Sequence, residues 1–142
     1  MASYTKIQDY TESLNKGVHN WSSHTFKAAL TNTSPTAASD TGFGNWTEIS
    51  AGNGYTAGGM TLDTVTLSET SGTAKVTIAD EVLTASGGSI GAFRYLGIYN
   101  DTATSPADAA VCFFDYGSSI TLASGESFTT DFDATNGLWQ LA

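Results

Sequence analysis

Apolar residues recur at two different periods along the chain. Near the start, Ile7, Tyr10, Leu14 and Val18 fall three or four residues apart, on one face of a helix. Ser3 or Thr5 stands where it can cap that helix, and Gly17 where it can end it, so the spacing predicts a helix over residues 5–18. Its apolar face suits packing against the protein's own sheet, or docking as an arm on a partner. His19, Asn20 and Trp21 read as the connection that follows.

From residue 24 the period changes to two. Phe26, Ala28 and Leu30 alternate with Thr25, Lys27 and Ala29, the mark of a half-buried strand. Further strands are expected at 60–67, 73–79, 93–100, 110–116, 119–123, 127–133 and 138–141. In the strand at 93–100, Phe93, Tyr95 and Tyr99 alternate with Arg94, Leu96 and Ile98, so both faces carry apolar residues and a central position is expected. Turn compositions separate the strands: Glu69-Thr70-Ser71-Gly72, Ser86-Gly87-Gly88-Ser89, Ser124-Gly125 and Asn136-Gly137. Asn-Gly is the strongest two-residue hairpin signal of these. About eight short strands at this spacing predict an all-β fold, a β-sandwich or jelly-roll-like domain of residues 1–142 with one N-terminal helix and strands and loops over 24–142. No internal repeat or linker marks a second domain.

Composition agrees with strands. Thr and Ser number 22 and 16 of 142 residues, while charged residues make up only 13%; β-branched Thr favours sheets over helices. The net charge of −9 weighs against nucleic acid, whose phosphates are met mainly by Lys and Arg. It also weighs against anionic membrane surfaces. No apolar run nears the ~18 residues that a membrane-spanning helix needs, and the polar start at residues 1–9 lacks the apolar core of a secretory signal. Cys112, the single cysteine, lies in Val111-Cys112-Phe113-Phe114 and reads as a small buried side chain.

Chemical motifs are weak. Gly87-Gly88-Ser89-Ile90-Gly91 matches the G-x-S-x-G pattern of a nucleophile elbow, but a strand follows it instead of a helix, and both histidines precede it. Gly52–Gly58 lacks the glycine spacing and the lysine of a phosphate loop. His19 and His24 have no third ligand nearby in the sequence and read as surface or edge residues. Asp131 and Asp133 share one side of an expected strand, which suits a solvated face, a weak cation site or a pair of catalytic carboxylates. Four Asn-x-Ser/Thr sequons, at Asn20, Asn32, Asn45 and Asn100, carry no message in a chain without a signal peptide. No cofactor is expected. Phe43, Trp46 and Tyr55 fall in loop-like sequence and are the candidate interface residues, because Trp and Tyr are favoured anchors between proteins. The alternative is that they fold back over an open end of the sandwich.

Four stretches together, Phe26–Thr33 (FKAALTNT), Glu48–Gly59 (EISAGNGYTAGG), Thr84–Asp101 (TASGGSIGAFRYLGIYND) and Ser105–Gly137, resemble a family of small virion structural proteins of tailed bacteriophages. The resemblance implies a non-enzymatic capsid decoration, or cement, protein on the outer surface of the virion. Its partner would be the major capsid protein, and it would act as a small homo-oligomer, a dimer or trimer. It brings no catalytic residues. The competing expectations are a tail or fibre component, such as a glycan- or receptor-binding module using exposed Trp and Tyr, and a hydrolase built on Ser89 or on Asp131 and Asp133.

Overall fold

A computed structural model describes residues 2–142. The chain runs β1 (Ser3–Lys6), α1 (Asp9–Asn15), β2 (Phe26–Thr31), β3 (Met60–Thr61), β4 (Thr66–Thr70), β5 (Thr73–Thr77), β6 (Val82–Thr84), β7 (Ile90–Asn100), β8 (Ala110–Leu122), β9 (Ser127–Thr129) and β10 (Trp139–Leu141). Five strands form a central sheet in the order β1-β8-β7-β2-β3, and smaller sheets are built from β10-β5-β4 and β6-β9. Every pairing is antiparallel. The fold is all-β and sandwich-like, as the period-two pattern implies.

Strand register sorts the side chains of the central sheet into two faces, because directly paired residues point the same way. On one face lie Phe26, Ala28 and Leu30 of β2, Ile98 and Leu96 of β7, Cys112 and Phe114 of β8, and Tyr4 of β1. On the other lie Ala29, Gly97, Tyr95 and Phe113. Loop residues 32–59 cover this second face. The first is met by α1, by Trp21 and by Trp139 of β10. Trp21 stacks flat on Phe26, with centroids 3.7 Å apart, and Trp139 approaches Trp21 edge-on at 6.3 Å.

Four sequence expectations are corrected. The helix does not span 5–18 but only Asp9–Asn15, because residues 3–6 are recruited into β1, where Tyr4 sits opposite Phe114. Neither Ser3 nor Thr5 caps α1; Gln8 precedes it and donates its N–H to the Ala37 carbonyl. Gly17 does follow the helix with φ +78°. The strand expected at 60–67 is two strands, β3 and β4, in different sheets. Conversely, 110–116 and 119–123 are one strand, β8, whose pairing with β7 shifts register between Phe93 and Tyr95. Gly117, at φ +96°, takes up the left-handed turn of that excursion, and Arg94 grips Asp115 with two hydrogen bonds of 2.7 and 3.0 Å beside it. Finally, Asn136-Gly137 does not close a hairpin. β9 pairs with β6 and β10 with β5, so the turn carries the chain from one small sheet to the other. Ser71-Gly72, by contrast, is a two-residue hairpin loop with φ +51° and +84°, the pair of positive angles a type I′ turn requires.

The helix side of the core depends on one buried polar contact. The Trp21 indole Nε1–H donates to the Tyr10 hydroxyl at 2.8 Å, and both residues are 3% exposed. Tyr10→Phe keeps the ring but leaves the indole donor buried and unpaired. The expected cost is about 1–3 kcal/mol, read as a lower urea midpoint with an unchanged slope.

Candidate functional site

The three aromatic residues singled out as interface anchors point inward. Trp46 is 9% and Tyr55 2% exposed, and Phe43 is half-buried. Phe43 stacks on Tyr99 at 4.5 Å, and the Trp46 ring lies over Gly97 with Nε1 donating to Asp40 at 3.1 Å. The Tyr55 hydroxyl accepts the Leu30 N–H at 3.0 Å and donates to the Glu48 carboxylate at 2.8 Å. Gly58 N–H donates to the same carboxylate at 2.7 Å. These side chains staple loop 32–59 to the central sheet, and the expectation that they face a partner is corrected: their apolar surface is already spent on the protein's own core.

Water-exposed apolar surface lies elsewhere. Tyr4 (41% exposed), Tyr116 (52%), Leu67 (42%), Val82 (63%) and Leu141 (59%) are the large exposed apolar side chains among the described residues. Two of them, Tyr4 and Tyr116, border a cleft of about 440 Å³. Its floor is the β1-β8-β7 end of the central sheet, with Leu96 and Phe114. Its wall is the irregular segment from Thr129 to Leu138, which contributes Phe132. The rings contact one another edge to face: Tyr4 and Phe114 at 5.5 Å, Phe114 and Phe132 at 6.1 Å, Tyr116 and Phe128 at 6.4 Å. The volume lies in the range of roughly 300–1,000 Å³ typical of ligand clefts, and aromatic lining with a few polar groups is their usual composition.

The wall holds its shape through backbone contacts. Thr130 and Glu81 exchange hydrogen bonds between their backbones and the Thr130 hydroxyl, and Phe132 N–H donates to Asp80 at 2.8 Å. Asp133 caps the next turn, accepting the N–H groups of Thr135 and Asn136 at 2.8 Å each and the Asn136 amide at 2.7 Å. Those bonds hold its carboxyl below the usual carboxylate range. Asp131 and Asp133 lie beyond the end of β9, not on a strand. Both are exposed and border the cleft. Among the described residues, no group of three or more His, Cys, Asp or Glu is placed to hold a metal ion. The one base at the cleft, Arg94, is held by Asp115, whose carboxyl it depresses.

The remaining sequence candidates sit apart. Ser89 precedes β7, where Asn53 donates to its carbonyl oxygen. His19 is not a surface or edge residue: it is 6% exposed, and the amide of Asn100 lies 3.3 Å from its Nδ1 and 2.9 Å from Nδ1 of His24. Asn100, one of the sequon residues, is fully buried. Cys112 is enclosed, and burial pushes its thiol far above the ordinary range, so it stays protonated near neutrality. No helix is long and apolar enough to cross a membrane among the described residues.

The residues of the cleft were missed in the sequence because Tyr4, Tyr116, Phe128 and Phe132 lie far apart along it, or in segments with no clear period. One signal was present. Phe114 and Tyr116 share a face of β8 with Cys112, so that apolar face runs past the part of the strand that the core can cover. Comparisons with family models, with curated proteins and with solved structures each found no match.

Proposed function

We propose that this chain is a non-enzymatic structural protein of a phage virion that decorates the outer capsid surface and cements it by bridging major capsid subunits, acting as a small homo-oligomer. The observation that carries this reading is the placement of exposed apolar side chains on two different sheets. Tyr4 and Tyr116 lie at the aromatic cleft of the central sheet. Leu67 and Leu141 lie on the β10-β5-β4 sheet, on the same face as buried Val76 but past the edge of the core. Bridging two subunits needs two contact surfaces, and covering each removes apolar area from water. A stable contact takes roughly 800 Å² per partner. The resemblance to virion proteins supports the same reading, and the charge of −9 suits a surface away from packaged DNA.

Purified protein added to capsids assembled without it is expected to bind them and to raise the temperature at which they disrupt. Capsids that neither bind it nor gain heat resistance would refute the reading. One observation favours a second reading, a tail or fibre module that binds glycans: exposed Tyr4 and Tyr116 stand near the carboxylates of Asp131 and Asp133, and a sugar ring can stack on the first pair while its hydroxyls donate to the second. Labelling of the protein on tails and not on heads would select it.

A further inference from the structure

We infer that the aromatic cleft between β8 and the Thr129–Leu138 segment receives a cationic, apolar-anchored segment of a partner protein: a bulky apolar side chain seated on Phe114 and Phe132, with a Lys or Arg beside it facing Asp131 and Asp133. Calling that partner a capsid subunit rests on the cementing reading above. The chemistry of the cleft does not.

Three observations fix the occupant. First, the cleft is apolar at its floor and still wet at its rim, where Tyr4 and Tyr116 are about half exposed. An apolar side chain entering it loses water contact on both partners. Second, the rim is negative, and its charge is only partly offset, by Lys75 near Asp133. Asp131 makes no hydrogen bond or ion pair through its carboxylate among the described residues, Asp133 bonds only to the uncharged groups of its turn, and Arg94 is engaged through both Nε and Nη2 by Asp115. The rim therefore attracts a cation and repels an acid. Third, a second copy of this chain is a poor complement: it carries a net charge of −9, and three of its five bases, Lys16, Lys27 and Arg94, already face carboxylates, which leaves only Lys6 and Lys75 bonded to neutral oxygens. A basic segment of a different protein is the better match.

The test is an NMR titration of the full chain with two capped tetrapeptides, Lys-Leu-Phe-Lys and its acidic counterpart Glu-Leu-Phe-Glu. The basic peptide is expected to move the resonances of Tyr4, Tyr116 and Phe132 and to bind about tenfold more tightly than the acidic one, a difference of about 1.4 kcal/mol. Asp131→Lys, an exposed substitution, should reduce or reverse that preference without changing the fold. The inference is overturned if the cleft resonances do not move, if the two peptides bind equally, or if N-acetylglucosamine moves those resonances while neither peptide does. It is also overturned if the chain self-associates in sedimentation and Tyr116→Lys abolishes that association, because the cleft would then take a second copy. The two readings fail separately. If peptides bind but capsids do not, the cementing role falls and the cleft assignment stands. If capsids bind equally well to wild type and to Tyr116→Ser with Asp131→Lys, the cleft is not the capsid contact, and the cementing role stands through other surfaces.

Discussion

Trp46→Ala is expected to lower the free energy of unfolding by about 3–5 kcal/mol, the range for removing a large aromatic ring from a core. Gly97→Val is expected to cost about 1–3 kcal/mol or more by overpacking. The two changes together should cost less than their sum. The reason is a single notch. A Cβ built on Gly97 would lie 2.6 Å from Cη2 and 2.8 Å from Cε3 of Trp46, so the indole occupies the space a side chain would take. Phe43 and Tyr99 hold the ring edge to face, at 6.3 and 6.4 Å. Gly97 pairs with Ala29 on one side and Phe113 on the other, so the strand cannot move aside to admit a larger residue. Valine is otherwise well suited to a strand, and its cost here is steric. In the Trp46→Ala background the same valine fills part of the vacated space. A coupling energy of at least about 1 kcal/mol is expected from the double-mutant cycle, measured by urea unfolding. Strict additivity would mean that Trp46 and Gly97 do not share this notch in solution.

That notch also shows what could be read in the chain without its fold. In Phe93–Asn100 the alternation is regular, and a single glycine interrupts a face that is otherwise aromatic. The strand was legible, and so was the gap. Missing was the partner: Trp46 lies in a loop, and loop aromatics look free when nothing marks the place they fill. The same division runs through the fold. β2, β5, β7 and β8 announce themselves by period, and Ser71-Gly72 by turn chemistry. β1 does not, because Ser-Tyr-Thr-Lys carries one apolar residue and becomes a strand only by pairing with β8. Val82–Thr84 is too short for any period and owes its strand to β9. Asn136-Gly137 gave a correct turn and a wrong neighbour, since a local turn signal says nothing about which distant edge the next strand will join. The cleft was illegible for the same reason. It is made where β1, β8 and the Thr129–Leu138 segment converge, and long-range pairing alone brings them together.

The second large effect is on pH. His19 is buried, and loss of hydration, reinforced by the nearby His24 and partly opposed by Asp9, pushes its pKa down from 6.5 to about 4. The geometry accounts for the direction. The Asn100 amide nitrogen, which can only donate, faces His19 Nδ1 at 3.3 Å as well as the Val18 carbonyl at 3.2 Å and His24 Nδ1 at 2.9 Å, so the unprotonated Nδ1 suits this site and Nε2, the remaining ring nitrogen, has no partner. A second proton on Nδ1 would turn that acceptor into a donor facing a donor. Around the ring are Tyr10, with centroids 4.8 Å away, Phe26 at 6.2 Å, and His24, bound to the same amide at 2.9 Å. Above pH 6.5 the histidine is neutral in both folded and unfolded chains, and its contribution is fully present. As pH falls from 6.5 towards 4, the unfolded chain takes up the proton and the folded chain resists it, so stability is lost. Each pH unit of that gap is worth about 1.4 kcal/mol, which makes the total loss about 3 kcal/mol. Below about 4 the folded chain is protonated too, and this group adds nothing more. Among the carboxyls held low by their partners, Asp115 and Asp133 lose their contribution only below the ordinary value of 3.8 and the exposed Glu12 below 4.5, so they overlap only the acid end of the His19 window. Unfolding free energies measured from pH 7 to pH 4 should therefore fall along a curve that flattens in His19→Asn, which cannot take up the proton. An equally steep fall in that variant would place the acid sensitivity in some other group and leave His19 a bystander in the core.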